Sequence, residues 1–137
     1  MRRLLLGDRV EKSADAVWAV IGDFGGIRKW APAVEAESVE TTPEGEVRTL
    51  TMPGGRVVKE LRTAHSQYSY TYSLKRPDMA AYFSTVSVRP IDAGACWIEL
   101  AIEFEPAEGT EMTPATDGFM KFLGGNLKAM KRAAVPA

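Results

Sequence analysis

With one histidine (His65) and one cysteine (Cys96) in 137 residues, the chain has few routes to nucleophilic or metal chemistry. No ligand pair stands at zinc-like spacing, and no Ser-His-Asp or Cys-His set can be read from the order of residues. His65 falls with Ser66 and Gln67 in a turn between strands, where an imidazole is solvated. "GDFGG" (22–26) and "MPGGR" (52–56) are glycine pairs without the strand-to-helix setting or the lysine of a phosphate loop. No cofactor motif or metal set is present, and what remains is the chemistry of carboxyls and phenols. Glu60 lies in "VVKELR", Tyr68, Tyr70 and Tyr72 alternate along one segment, and Tyr82 and Ser84 share a face of the next. A carboxyl in apolar surroundings is either paired or has its pKa raised, the state a general acid needs near neutral pH. A buried phenol needs a partner, which in an open cavity can be a ligand oxygen. The alternation around Glu60 is ambiguous. Val58, Glu60 and Arg62 form one face, and Val57, Lys59 and Leu61 form the other. On pattern alone the face with Val57 and Leu61 is the one expected to be buried.

These groups need elements to hold them. Residues 3–11 read as extended, and Ser13 offers an N-cap to a short helix that runs to Ile21 and ends at Gly22 in the left-handed conformation. Phe24 to Trp30 read as one more helical turn, stopped by Pro32. From 33 to 106 the period is two, with turn signals at 42–45, 53–55, 66–67, 76–78 and 92–94, so six antiparallel strands fit between the breaks. Tyr68, Tyr70, Tyr72 and Leu74 alternate with polar residues, as do Cys96, Ile98, Leu100, Ile102 and Phe104, which makes one face of the sheet buried and the other wet. From Thr113 onward Phe119, Phe122, Leu123, Leu127 and Met130 follow helical spacing, interrupted by Gly124-Gly125, a pair that suits close packing or space left for a ligand. The expected architecture is α+β: a seven-stranded antiparallel sheet wrapped round a long C-terminal helix, with two short helices after the first strand. Such a sheet need not close on its helix at the open end, so a cavity between them is expected.

A chain of this length reads as one domain, residues 1–137, that buries roughly two thirds of its unfolded surface. Seventeen basic residues against 18 acidic ones leave no electrostatic footprint for nucleic acid. "MRRLLLGDRV" holds a three-residue apolar stretch, too short for a signal sequence or a membrane span, so a cytoplasmic protein without a membrane partner is expected. Trp97 beside Glu99 and Glu103 on the wet face could mark a homodimer patch.

"VWAVIGDFGGIRKWAP" followed by "VRTLTMPGG", "VVKELR", "YSYTYSL" and "AYFSTVSV" resembles the START/Bet v 1-like (SRPBCC) superfamily, in particular its polyketide cyclase/dehydrase branch. The resemblance covers nearly the whole chain and implies a helix-grip fold with a cavity for a small hydrophobic or polyketide-like molecule. It implies that the two short helices support the long one, that the Gly-rich corner lets them pass close to it, that Trp18 anchors the core and that Trp30 walls the cavity. It turns Glu60 inward, with Arg62 as its ready partner, and makes Glu60 and Tyr82 the candidate catalytic groups. Arg62, Tyr70, Tyr72, Ser84 and Leu100 on the strands and Phe119, Phe122 and Leu123 on the long helix become candidate ligand contacts. Two loops, one with Met52, Gly54 and Gly55 and one with Pro77 and Met79, become candidate gates, and exposed methionines would suit that task. This sequence departs from the family at Ala31, where many relatives carry His, and at Ala81, where many carry Asn. Two functions fit: a cofactor-free cyclase or dehydratase, and a carrier or sensor without catalysis.

Overall fold

A computed structural model describes residues 1–136. Seven antiparallel strands, β1 (Arg2–Val10), β2 (Ala36–Thr42), β3 (Gly45–Thr51), β4 (Val57–Ser66), β5 (Ser69–Ser73), β6 (Met79–Asp92) and β7 (Ala95–Pro106), form one sheet in the order β1-β7-β6-β5-β4-β3-β2. From β2 to β7 the chain is a meander of hairpins, with turns at Gly-, Pro- or Asp-marked breaks except between β4 and β5, where the turn is Gln67-Tyr68. Gly54 and Gly55, at φ +86° and +82°, adopt the left-handed backbone that the β3–β4 turn needs.

Helix α1 (Ala14–Ile21) begins at Ser13, whose hydroxyl accepts from the Ala16 N–H at 3.1 Å. It ends at Gly22, but in the right-handed region (φ −91°), so the left-handed expectation is wrong. The glycine is needed for another reason. A Cβ there would stand 2.1 Å from the Trp18 indole, which folds back over the helix end. The room at this corner is thus taken by Trp18, and the expected close passage to the long helix does not account for Gly22. Trp18 itself is half-buried, its indole against Tyr68 and Tyr70 at centroid distances of 6.4 and 6.1 Å. The expected second short helix is a single 3₁₀ turn, Ile27–Lys29. Asp23 folds back to accept from the Gly25 N–H, and Pro32 follows too closely for the turn to extend.

Helix α2 (Met112–Ala134) buries Phe119, Leu123, Leu127 and Met130. It packs on β1, β7 and α1, with Lys131 ion-paired to Asp8 of β1. Because the helix lies over that end of the sheet, the inward face of β3 to β6 is only partly covered. This is the helix-grip architecture. A Cβ at Gly124 or Gly125 would meet nothing within 4 Å, so the pair is not a close-packing device. On the outer face Trp97 lays its indole over Gly7 of β1, its Nε1 2.4 Å from where a Cβ would stand. Among the described residues no helix is long and apolar enough to cross a membrane.

Candidate functional site

The uncovered sheet face and α2 enclose a cavity of about 590 Å³. Its floor is built by alternation: Arg48 and Leu50 on β3, Val58 and Glu60 on β4, Tyr70 and Tyr72 on β5, Tyr82, Ser84 and Val86 on β6 and Leu100 on β7 all point inward. Phe119, Phe122 and Leu123 form the helix side, and Trp30 with Ile27 and Val34 closes one end. Arg48, Glu60 and Ser84 are the buried polar or charged residues among those described, at 1, 5 and 4% exposure.

Glu60 faces inward, against the reading of the alternation alone and in keeping with the resemblance. Its partner is Arg48, and the expected pairing with Arg62 is wrong. Arg48 Nε and Nη2 both donate to Glu60 Oε1, at 2.9 and 2.5 Å, and Nη1 donates to the Phe24 carbonyl oxygen at 3.0 Å. The cause is strand geometry. Residues two apart on one strand stand roughly 7 Å apart, whereas directly opposed residues of neighbouring strands stand about 5 Å apart. Arg48 and Glu60 are directly opposed across β3 and β4. Arg62 instead pairs with Glu46 at 3.1 Å and lies over the Phe24 ring, outside the cavity.

The guanidinium is also framed by aromatic faces, 4.3 Å from the Phe24 centroid and 5.2 and 5.7 Å from those of Tyr72 and Tyr70. Burial alone would lower the Arg48 pKa, but Tyr70, Glu60 and Tyr72 outweigh it, and the group stays cationic. Burial raises the Glu60 pKa above the ordinary carboxyl range, opposed by the charge and hydrogen bonds of Arg48. Oε1 is thus pinned twice, while Oε2 has no hydrogen-bonding partner among the described residues.

The phenols surround this pair. Burial lifts Tyr70 and Tyr72 above the ordinary phenol value, and Tyr82 is pushed up to about 12, again by burial first. The charge of Glu60 contributes to the rise at all three, which places their hydroxyls in its field. Ser84, directly opposite Tyr72 across β5 and β6, tempers the shifts of Tyr72 and Tyr82. At neutral pH these groups are protonated donors. They cannot act as bases there, but they can hold an oxygen that gains charge. Trp30 adds an indole N–H that is sealed from solvent and has no partner among the described residues.

Of the candidate gate residues, Met52 lines the cavity and Gly54, Gly55, Pro77 and Met79 do not. Met79 is buried at 7% exposure, so the expected exposure is wrong: as the first residue of β6 it points into the core. The 75–79 loop is tied down. The Asp78 carbonyl accepts from Ala107 N–H and Thr110 Oγ1 at 3.0 and 2.9 Å, and the Asp78 carboxylate receives two bonds from Arg76. Arg76 spans the mouth over the rings of Tyr82 and Phe119. Arg48 and Arg76, the two cations nearest the phenols, are not singled out by the sequence reading. For Arg48 a signal exists. With the β3–β4 turn centred on Gly54, residues equidistant from it face each other, and Arg48 stands opposite Glu60. Among the described residues no cluster of three or more His, Cys, Asp or Glu could hold a metal ion.

Comparison with known proteins agrees with this geometry. No curated protein matches the chain. Among solved structures, XoxI of Bacillus cereus is 26% identical, with a TM-score of 0.83 over 99% of this chain and 97% of its own. A START superfamily protein of Mycobacterium smegmatis (13% identity, TM-score 0.75, 94% of each chain) and the Zhui aromatase/cyclase of Streptomyces sp. R1128 (18%, 0.71, 97% of this chain and 93% of that one) share the fold. Residues 9–134, nearly the full length, match the family described as polyketide cyclase / dehydrase and lipid transport, and with a ligand-sized cavity under its helix the chain belongs to that family.

Proposed function

We propose that the cavity binds a small, largely apolar, carbonyl-bearing molecule and that Glu60 moves a proton on it without a cofactor, in a cyclisation or dehydration. The observation that carries this reading is the asymmetry of Glu60, with one oxygen held by Arg48 and the other unpartnered inside an apolar cavity ringed by protonated phenols. A volume of about 590 Å³ suits a drug-sized ligand. A carboxylate with a raised pKa is a stronger base than an ordinary one, and Arg48 fixes its orientation. Glu60 Oε2 would take the proton from a carbon beside a carbonyl. The electron pair then moves onto the carbonyl oxygen, where Tyr70, Tyr72 or Tyr82 donates hydrogen bonds to it. The enolate carbon attacks a second carbonyl of the same chain, and the new alkoxide takes up the proton that Glu60 holds, which returns Glu60 to its carboxylate. Subsequent loss of water needs only the same acid–base groups. A folded substrate supplies most of the effect through proximity, and the placed base adds roughly 10²–10⁴-fold.

A carrier or sensor would use the same contacts without conversion. Mass spectrometry separates the two readings: the protein is purified from cells that naturally encode it, as wild type and as Glu60→Gln, and what it releases on denaturation is identified. The proposal expects a cyclised or dehydrated species from the wild type and its precursor from the variant. The same unaltered molecule from both would establish a carrier, and an empty cavity in both would overturn the binding claim itself.

A further inference from the structure

A second hollow adjoins the cavity mouth and is rich in cations. It is bounded by the start of β4 and the β5–β6 loop and has a volume of about 440 Å³. Arg56, Val58, Leu74, Arg76 and Asp78 line both spaces, so the two are adjacent. The hollow holds four cations, Arg56, Lys59, Lys75 and Arg76, against one anion, Asp78, in a chain whose net charge is −1. Asp78 is already committed to Arg76 by two hydrogen bonds of 2.9 and 3.0 Å. Arg56, Lys59 and Lys75 form no ion pair among the described residues and are exposed. These three cations outnumber Glu111, the one carboxylate lining the adjoining cavity that has no ion pair among the described residues, and so bias the field toward positive where a ligand enters and where its outer end comes to rest.

We infer that the molecule taken by this cavity is an amphipathic anion: an apolar body inside and a carboxylate or phosphate at its outer end, held in the hollow by Arg56, Lys59 and Lys75. This rests on the proposed cavity function and adds to it the chemical class of the ligand. The phenols and Glu60 act on the inner part of the molecule, and the hollow fixes which end enters first. An anionic end can be the free acid of the apolar chain or a phosphate ester at its terminus, and both present oxygens that Arg and Lys bind.

The test displaces the neutral fluorophore N-phenyl-1-naphthylamine with decanol, decanoate and decyl phosphate, in wild type and in the triple variant Arg56→Gln/Lys59→Gln/Lys75→Gln. All three substitutions fall on exposed side chains, and retained binding of the neutral fluorophore by the variant shows that the cavity is intact. The expected result is that both anions displace the fluorophore at roughly tenfold lower concentration than decanol at low salt. That gap should close in the triple variant and at about 1 M salt, where the Debye length falls to roughly 3 Å. The ratio of decanoate to decyl phosphate then tells which anionic end the hollow favours. Equal displacement by decanol and the anions, or an anion preference that survives in the triple variant, overturns the inference and leaves the cavity reading intact. Failure of the fluorophore and of every displacer to bind the wild type overturns both.

Discussion

At the scale of single residues, the Arg48–Glu60 pair decides both stability and chemistry. A buried charge left without its partner costs about 3–5 kcal/mol. Arg48→Leu should therefore lower the unfolding free energy by about that amount at neutral pH, as measured by urea denaturation. The direction with pH follows from Glu60. Its folded pKa is raised, so its contribution to stability is present at acid pH and is lost as pH rises through the folded value. Removal of Arg48 takes away the opposing influence and raises that value further. The deficit of Arg48→Leu should accordingly shrink as pH falls and Glu60 takes up a proton, and a deficit that grows on acidification would contradict the assignment. Gly22 gives another prediction at this scale. Gly22→Ala places a methyl into the Trp18 indole and should cost about 1–3 kcal/mol with a change in tryptophan fluorescence. Unchanged stability would mean that the indole is free to move aside. The inward phase of Glu60 could not be read from alternation, because Val58 and Arg62 on its face are no more apolar than Val57 and Leu61 on the other. Burial here follows a cross-strand ion pair and not hydropathy, and single-strand patterns are blind to a partner on the neighbouring strand.

At the scale of elements, α2 and the β3–β6 floor divide the work. The helix buries a stripe of Phe119, Leu123, Leu127 and Met130, while Phe122 stays 42% exposed at the cavity mouth. Gly124 and Gly125 neither pack closely nor adopt positive φ. Each weakens the helix by about 1 kcal/mol relative to alanine. Gly124→Ala and Gly125→Ala should each raise stability by about 0.5–1 kcal/mol in thermal or urea unfolding, and a loss would show a packing constraint that the fold does not display. The strands, the turns and the long helix were legible because period two, Gly/Pro/Asp punctuation and the 3.6-residue period each leave a local signature. The other short helix was not, since Gly25 and Gly26 weaken the run from Phe24 to Trp30, and the fold-back of Asp23 before it and Pro32 after it restrict it to one 3₁₀ turn. Met79 follows a turn signal, which reads as a surface position. It is buried because β6 begins there and its first inward position belongs to the core.

At the scale of the whole molecule, the buried phenols of the cavity floor give the protein a characteristic response to alkali. Tyr70, Tyr72 and Tyr82 all have folded pKa values above the unfolded value near 10, with Tyr82 at about 12. Their contribution to stability is fully present below pH 10 and is lost as pH rises from there through the folded values. Phenolate absorbance should therefore titrate later in the native protein than in urea, and native stability should fall steeply over the same interval. Phenols that ionise near pH 10 in the native state would mean that water fills the floor of the cavity. In the proposed reaction Glu60 takes a proton from carbon on a carbonyl compound held above that floor, and this step can be isolated from the rest. It is tested most directly by following hydrogen–deuterium exchange of 2-tetralone, an apolar ketone of fitting size, by proton NMR in heavy water. With wild-type protein the exchange beside the carbonyl should run about 10²–10⁴-fold faster than in buffer, and Glu60→Gln should abolish the acceleration while the ketone still binds. A ketone that occupies the wild-type cavity and exchanges no faster than in buffer would contradict the account.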